Sequence, residues 1–119
     1  MPDILEHLRT LLLTVLSPIH AQYPARFAVF PCAVLYESGN SVHARCDGRA
    51  HLHEIEYTLE FWALSPAETH ALSARADTLL SDLGLMRTHC ADLFDDDTRA
   101  HRRVLRYRAL CDDAGVLTQ

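Results

Sequence analysis

Between Glu54 and Gly84 the chain changes from a repeat of two residues to a helical repeat, and a capping signal marks the change. In HEIEYTLEFWAL, Ile55, Tyr57, Leu59, Phe61 and Ala63 fall on one side, and Glu54, Glu56, Thr58 and Glu60 on the other. Alternation of this length marks a half-buried strand with one wet or partner-facing side. Ser65-Pro66-Ala67-Glu68 follows. Ser65 can accept from the first turn, Pro66 suits the first helical position, and Glu68 completes a capping box. Leu72, Ala76, Leu79, Leu80 and Leu83 then recur at helical spacing until Gly84 stops the run. The apolar stripe of this helix is expected to pack on Ile55, Tyr57, Leu59 and Phe61.

The remaining elements are arranged around this unit. Ile4, Leu5, Leu8, Leu11, Leu12, Val15 and Leu16 form a stripe that predicts a first helix over about 3–16, ended by Ser17-Pro18. The segment to Phe27 reads as irregular, with Pro24 in its middle. Phe30 to Glu37 reads as a strand, Ser38-Gly39-Asn40-Ser41 as a turn, and Val42 to Cys46 as a short second strand before the Asp47-Gly48 turn. The long strand spans about 51–64. Leu85 to Phe94 is extended, Asp95-Asp96-Asp97-Thr98 is a solvated turn, and Arg99 to Cys111 is the last strand. The tail from about 112 lacks periodicity and is expected to fray. The whole is a single 1–119 domain of α+β class. An antiparallel sheet of four to five strands carries two helices on one face, in the order α-β-β-β-α-β-β.

A net charge of −5 argues against a general nucleic-acid binder. The four cysteines, Cys32, Cys46, Cys90 and Cys111, form no CxxC pair and read as reduced thiols. Leu11 to Leu16 is too short to span a bilayer, and the N-terminus has neither a basic run nor a convincing cleavage site. The expectation is therefore folding in a cytoplasm, with no membrane partner.

Two clusters bear on chemistry. Glu54, Glu56 and Glu60 share one strand face, and Arg102, Arg106 and Arg108 share one face of the last strand. Neighbouring strands would make these a cross-strand ladder; otherwise the charges meet another subunit or a ring lumen. Trp62, on the same side, is either covered by the loop before the helix or anchors a partner. The second cluster is His43, Cys46, His51 and His53, within a chain of eight histidines. These are weak metal candidates, since no familiar zinc spacing links them, and no stoichiometric transition metal or other cofactor is expected. Asp92, Asp95, Asp96 and Asp97 lack the glycine and terminal glutamate of an EF-hand loop. GxSxG, HExxH, P-loop and GxGxxG patterns are absent. His89 and Cys90 are adjacent, so a strand would turn them to opposite faces, the wrong arrangement for a base and its nucleophile.

Three stretches resemble the tail-completion, or tail-terminator, proteins of long-tailed bacteriophages and prophages. One is the first helix followed by Phe30-Pro31-Cys32-Ala33-Val34-Leu35-Tyr36. The second is Glu56-Tyr57-Thr58-Leu59-Glu60-Phe61-Trp62-Ala63 running into Ser65-Pro66-Ala67-Glu68 and an alanine- and leucine-rich helix. The third is the basic, aromatic strand His101-Arg102-Arg103-Val104-Leu105-Arg106-Tyr107-Arg108. The hairpin histidines belong to no pattern of that family. The resemblance implies a non-enzymatic virion protein made in the bacterial host. It would assemble as a homo-oligomeric ring, often a hexamer, at the head-proximal end of the tail tube, where it joins tail to neck. Its partners would be itself, the tail tube protein and a head–tail connector or neck protein, with no sequence-specific nucleic acid. Glu54, Glu56, Glu60, Trp62, Arg102, Arg106 and Arg108 are the interface candidates. Two other readings stand beside it: a small metal- or ligand-binding module using His43, Cys46, His51 and His53, and an enzyme subunit with a pocket around Tyr57 and Tyr107.

Overall fold

The computed structural model describes residues 4–46, 50–112 and 117–118, with side chains described for 4–41 and 52–112. The alternating segment is the centre of a longer strand. Helix α1 (Ile4–Leu12) is followed by β1 (Ile19–His20), β2 (Cys32–Cys46), β3 (Ala50–Ala63), helix α2 (Pro66–Leu83), β4 (Met86–Phe94), β5 (His101–Cys111) and β6 (Leu117–Thr118). The sheet runs β1-β2-β3-β5-β4, and β6 also pairs with β5. The β1–β2 contact is parallel and all other pairings are antiparallel. The α+β class and the order of elements are the expected ones with β6 appended, but β1 lies in the stretch expected to be irregular and the two strands expected between Phe30 and Cys46 are one, β2.

The helices cover one face of the sheet. Leu35, Leu59 and Leu105 stand in register across β2, β3 and β5, and all three are buried. Leu8 and Leu12 of α1 and Leu72, Ala76 and Leu80 of α2 close over them, while Leu79 and Leu83 are half-buried at the margin. Each leucine fully withdrawn from water contributes roughly 1.5–3 kcal/mol. Helix α2 begins and ends as its sequence dictates. Ser65 Oγ accepts from the Glu68 amide at 3.2 Å, and Gly84 adopts the left-handed conformation at φ 106°. The Leu85 amide then donates to the Leu80 carbonyl at 3.0 Å, and Leu85 itself is buried.

Three expectations about the chain path need correction. Helix α1 ends at Leu12, because the next turn tightens: the Thr14 and Val15 amides donate to Leu11 and Leu12, three residues back. Arg75 of α2 donates to the Thr14 and Val15 carbonyls left open there. The turn expected at Ser38–Ser41 lies inside one continuous strand. The long β3 templates β2 to its end, and register shifts at Glu37/Gly39 and Val42/Ala44 absorb the extra residues. Ser38, read as a turn residue, instead donates to Glu56 Oε1 at 2.8 Å and accepts from the Thr58 hydroxyl at 2.8 Å. A Cβ at Gly39 would sit 3.4 Å from that of Glu56, so the bulge is closely packed there. Finally, Leu117–Thr118 returns to pair with Leu110 and Cys111, where the tail was expected to fray.

The long β2–β3 pair gives the molecule its shape. β5 ends opposite His53, whereas β2 and β3 stay paired as far as Cys46 and Ala50. A two-stranded ribbon thus projects past the sheet, and the molecule measures 52 × 27 × 22 Å.

Candidate assembly surface

The face of the sheet away from the helices has an open half and a covered half. In the open half, β3 and β5 are neighbours and the expected charge pairing forms, offset diagonally. Glu56 stands opposite Arg108, but Arg108 donates to Glu54 at 3.1 Å. Glu56 is occupied by Ser38. Arg106, opposite Thr58, is exposed. A half-exposed pair such as Glu54–Arg108 contributes only about 0.2–1 kcal/mol. These charges therefore do little for stability and stay accessible to a partner.

The covered half is built differently. Glu60 and Trp62 are both almost fully buried, under the irregular segment between β1 and β2. Phe27 stacks on Trp62 with centroids 4.1 Å apart, and Tyr23 meets the indole edge-on at 6.2 Å. The Tyr23 hydroxyl donates to Glu60 Oε2. Burial, then the bond to the carboxylate, pushes the Tyr23 phenol well above its ordinary range. Arg102 lies with its guanidinium 5.2 Å from the Trp62 ring and its Nε 3.6 Å from Glu60 Oε1. That separation is just too long for a hydrogen bond, which leaves both atoms buried without one. Trp62 Nε1 is likewise buried without an acceptor.

This corrects the sequence reading of two candidates. Trp62 is covered, and by residues 21–30 rather than by the loop before α2. It is therefore part of a second small core with Cys32, Val34 and Ala100, not an exposed anchor. Glu60 keeps the expected pairing with Arg102, at 3.6 Å, but the same segment buries it, so it is not part of an exposed ladder. The pocket imagined around Tyr57 and Tyr107 is core: both rings are buried, and the Tyr107 hydroxyl donates to Asp77 at 2.7 Å. The signals that were missed are Tyr23, Phe27 and Tyr36. They stand in or beside a stretch with no periodicity, but three aromatics within reach of a strand's lone tryptophan are the trace of a covering segment.

Of the metal candidates, the His43, Cys46 and His51 side chains lie outside the described residues. Among the described residues, His/Cys/Asp/Glu groups of three or more form no candidate metal site. The acidic turn uses its first carboxylate internally. Asp95 Oδ2 accepts from the Thr98 amide at 2.8 Å and the Thr98 hydroxyl at 2.7 Å, and the Asp95 amide donates to Ala100 at 2.9 Å. Those two bonds from Thr98 hold the Asp95 carboxyl below its ordinary range. A depressed value means a contribution that is complete above the ordinary aspartate pKa near 3.8 and lost as pH falls through the lower folded value. The wild-type chain should thus lose more thermal stability between pH 5 and pH 2 than Asp95→Ala does. Equal losses in paired melting curves would show that the turn's bonds do not carry this effect.

The model of the family described as "Tail completion protein gp17" matches residues 2–112. The chain belongs to that family of bacteriophage and prophage tail-completion proteins. It is accordingly a structural protein of a phage tail. The match covers both helices and all strands except β6. No curated protein matches the chain in sequence. Among solved structures, a chain from "Virion of native gene transfer agent (GTA) particle" is similar in fold. Its TM-score is 0.58 at 14% identity, over 88% of this chain and 84% of that one.

Proposed function

We propose that this tail-completion protein caps the head-proximal end of a phage tail tube as a homo-oligomeric ring, a hexamer, and joins tail to neck. The observation that carries the reading is the family match over nearly the whole chain, from residue 2 to 112. The likeness in fold to a chain of a phage-like particle agrees with it. On this reading the protein works by binding, without catalysis. Its partners are copies of itself, the tail tube protein and the connector or neck protein. It is made in the host cytoplasm and ends in the virion.

A ring needs heterologous contacts, in which one patch meets a different patch on the next copy. Glu54, Glu56, Arg106 and Arg108 supply an accessible face of mixed charge. Such faces set register and orientation more than affinity, and salt screens them within about 8–10 Å at ordinary ionic strength. Arg106→Glu should therefore weaken ring formation, or binding to tube ends, while leaving the melting temperature nearly unchanged. Light scattering at low and high salt measures the first, and calorimetry the second. Loss of the protein from the phage should give tails of uncontrolled length that fail to join heads. Tails of normal length that still join would defeat the reading.

A further inference from the structure

One edge of the sheet is left open in a way that stable monomers usually avoid. β4 has nine residues, and all but Ala91 are exposed. It pairs only with β5, so its outer backbone amides and carbonyls have no strand partner among the described residues. Solvent-facing edge strands are normally short, or guarded by proline, by outward charge or by a covering element. β4 contains no proline, and its register shift is confined to one end, between Arg87 and His89. Its two formal charges, Arg87 and Asp92, are exposed but already paired within the chain: Arg87 lies 3.8 Å from Asp77, and Asp92 lies 3.2 Å from Arg103 and 3.4 Å from His70. Met86, Leu93 and Phe94 are left standing in water at 56%, 45% and 45% exposure.

The opposite edge is open too. β1 covers β2 only at Ala33 and Val34, so from Leu35 onward the outer side of β2 has no strand partner among the described residues. The directions of the strands make these edges complementary. β2, β3, β5 and β4 alternate in direction, because each neighbouring pair is antiparallel. A second copy placed beside the first in the same orientation therefore sets its β2 antiparallel to the first copy's β4. The alternation continues across the junction, and the helices of both copies stay on the same side of the sheet. Repeating this step leaves no free edge once it closes, which is the arrangement a ring requires.

We propose that β4 of one copy pairs through its backbone with β2 of the next, from about Leu35 to Ser41, so that the subunit sheets join edge to edge. The inference rests on the ring reading and adds the two sheet edges to the charged face as surfaces that join the subunits. The occupant is a second copy of this chain, because the chain itself carries the matching antiparallel edge. Backbone pairing supplies the contact, and Met86, Leu93 and Phe94 lose their water to the neighbour.

Hydrogen exchange on the full chain tests it, comparing dilute protein with protein assembled at high concentration or on purified tail tubes. Amides of 86–94 and 35–41 should slow together on assembly. Leu93→Lys, a surface change on the edge, should weaken self-association by about tenfold or more without lowering the melting temperature. Rings in which either edge still exchanges as it does in the dilute chain would overturn the proposal and spare the ring reading. Protection of β4 without β2 would mean twofold β4-to-β4 pairing and would also overturn it. A chain that stays monomeric even on tube ends would sink both.

Discussion

Leu80→Ala should destabilise the chain by about 2–5 kcal/mol, whereas Leu79→Ala, one position along, should cost clearly less. Leu80 is fully buried between α2 and the sheet; Leu79 sits half-covered at the edge of the same cluster. Removing the Leu80 side chain leaves a cavity among groups held by two elements at once. The same deletion at Leu79 opens onto solvent and leaves no enclosed void. Both positions belong to the stripe read from sequence, so the pair tests how far a helical wheel can rank positions. Urea unfolding of the two variants decides it. Equal costs would mean that α2 is rotated from the orientation described.

That ranking illustrates what the sequence made legible. Alternation in β3 and β5, the Ser65 cap and the Gly84 stop are local signals, and each appears where residue chemistry requires it. The ion pairing of Glu54 with Arg108 was also readable, because opposite charges on matched strand faces meet when the strands are neighbours. The Ser38–Ser41 turn was misread because its residues favour turns in isolation, while a partner strand of fourteen residues holds them extended. Tertiary pairing overrode local preference there. The covering of Trp62 was not legible for a different reason. Residues 21–30 have no repeat, and what fixes them is contact with a strand more than thirty positions away, as in the Tyr23–Glu60 bond. The exposure of β4 was hidden because a strand's place in the sheet order is not encoded in its own pattern.

Trp62→Ala should cost about 3–5 kcal/mol of stability, and this would decide between the two roles the sequence left open for that residue. The indole is stacked on Phe27, edged by Tyr23 and approached by Arg102, so its removal takes away the surface on which residues 21–30 lie. Glu60, beneath the same segment, would then gain access to water and lose part of its hold on Tyr23. Trp62→Phe should cost much less. Phenylalanine keeps an aromatic face for Phe27 and removes an N–H that is buried without an acceptor, so the lost volume is partly offset. Trp62 is the chain's single tryptophan, which makes its fluorescence a direct report on this patch. In the dilute wild-type chain the emission should be blue-shifted and weakly quenched by acrylamide, and it should change little on assembly, because the ring is already covered within its own chain. An anchor for a neighbouring subunit would behave in the opposite way: Trp62→Ala would leave the melting temperature unchanged and abolish the ring.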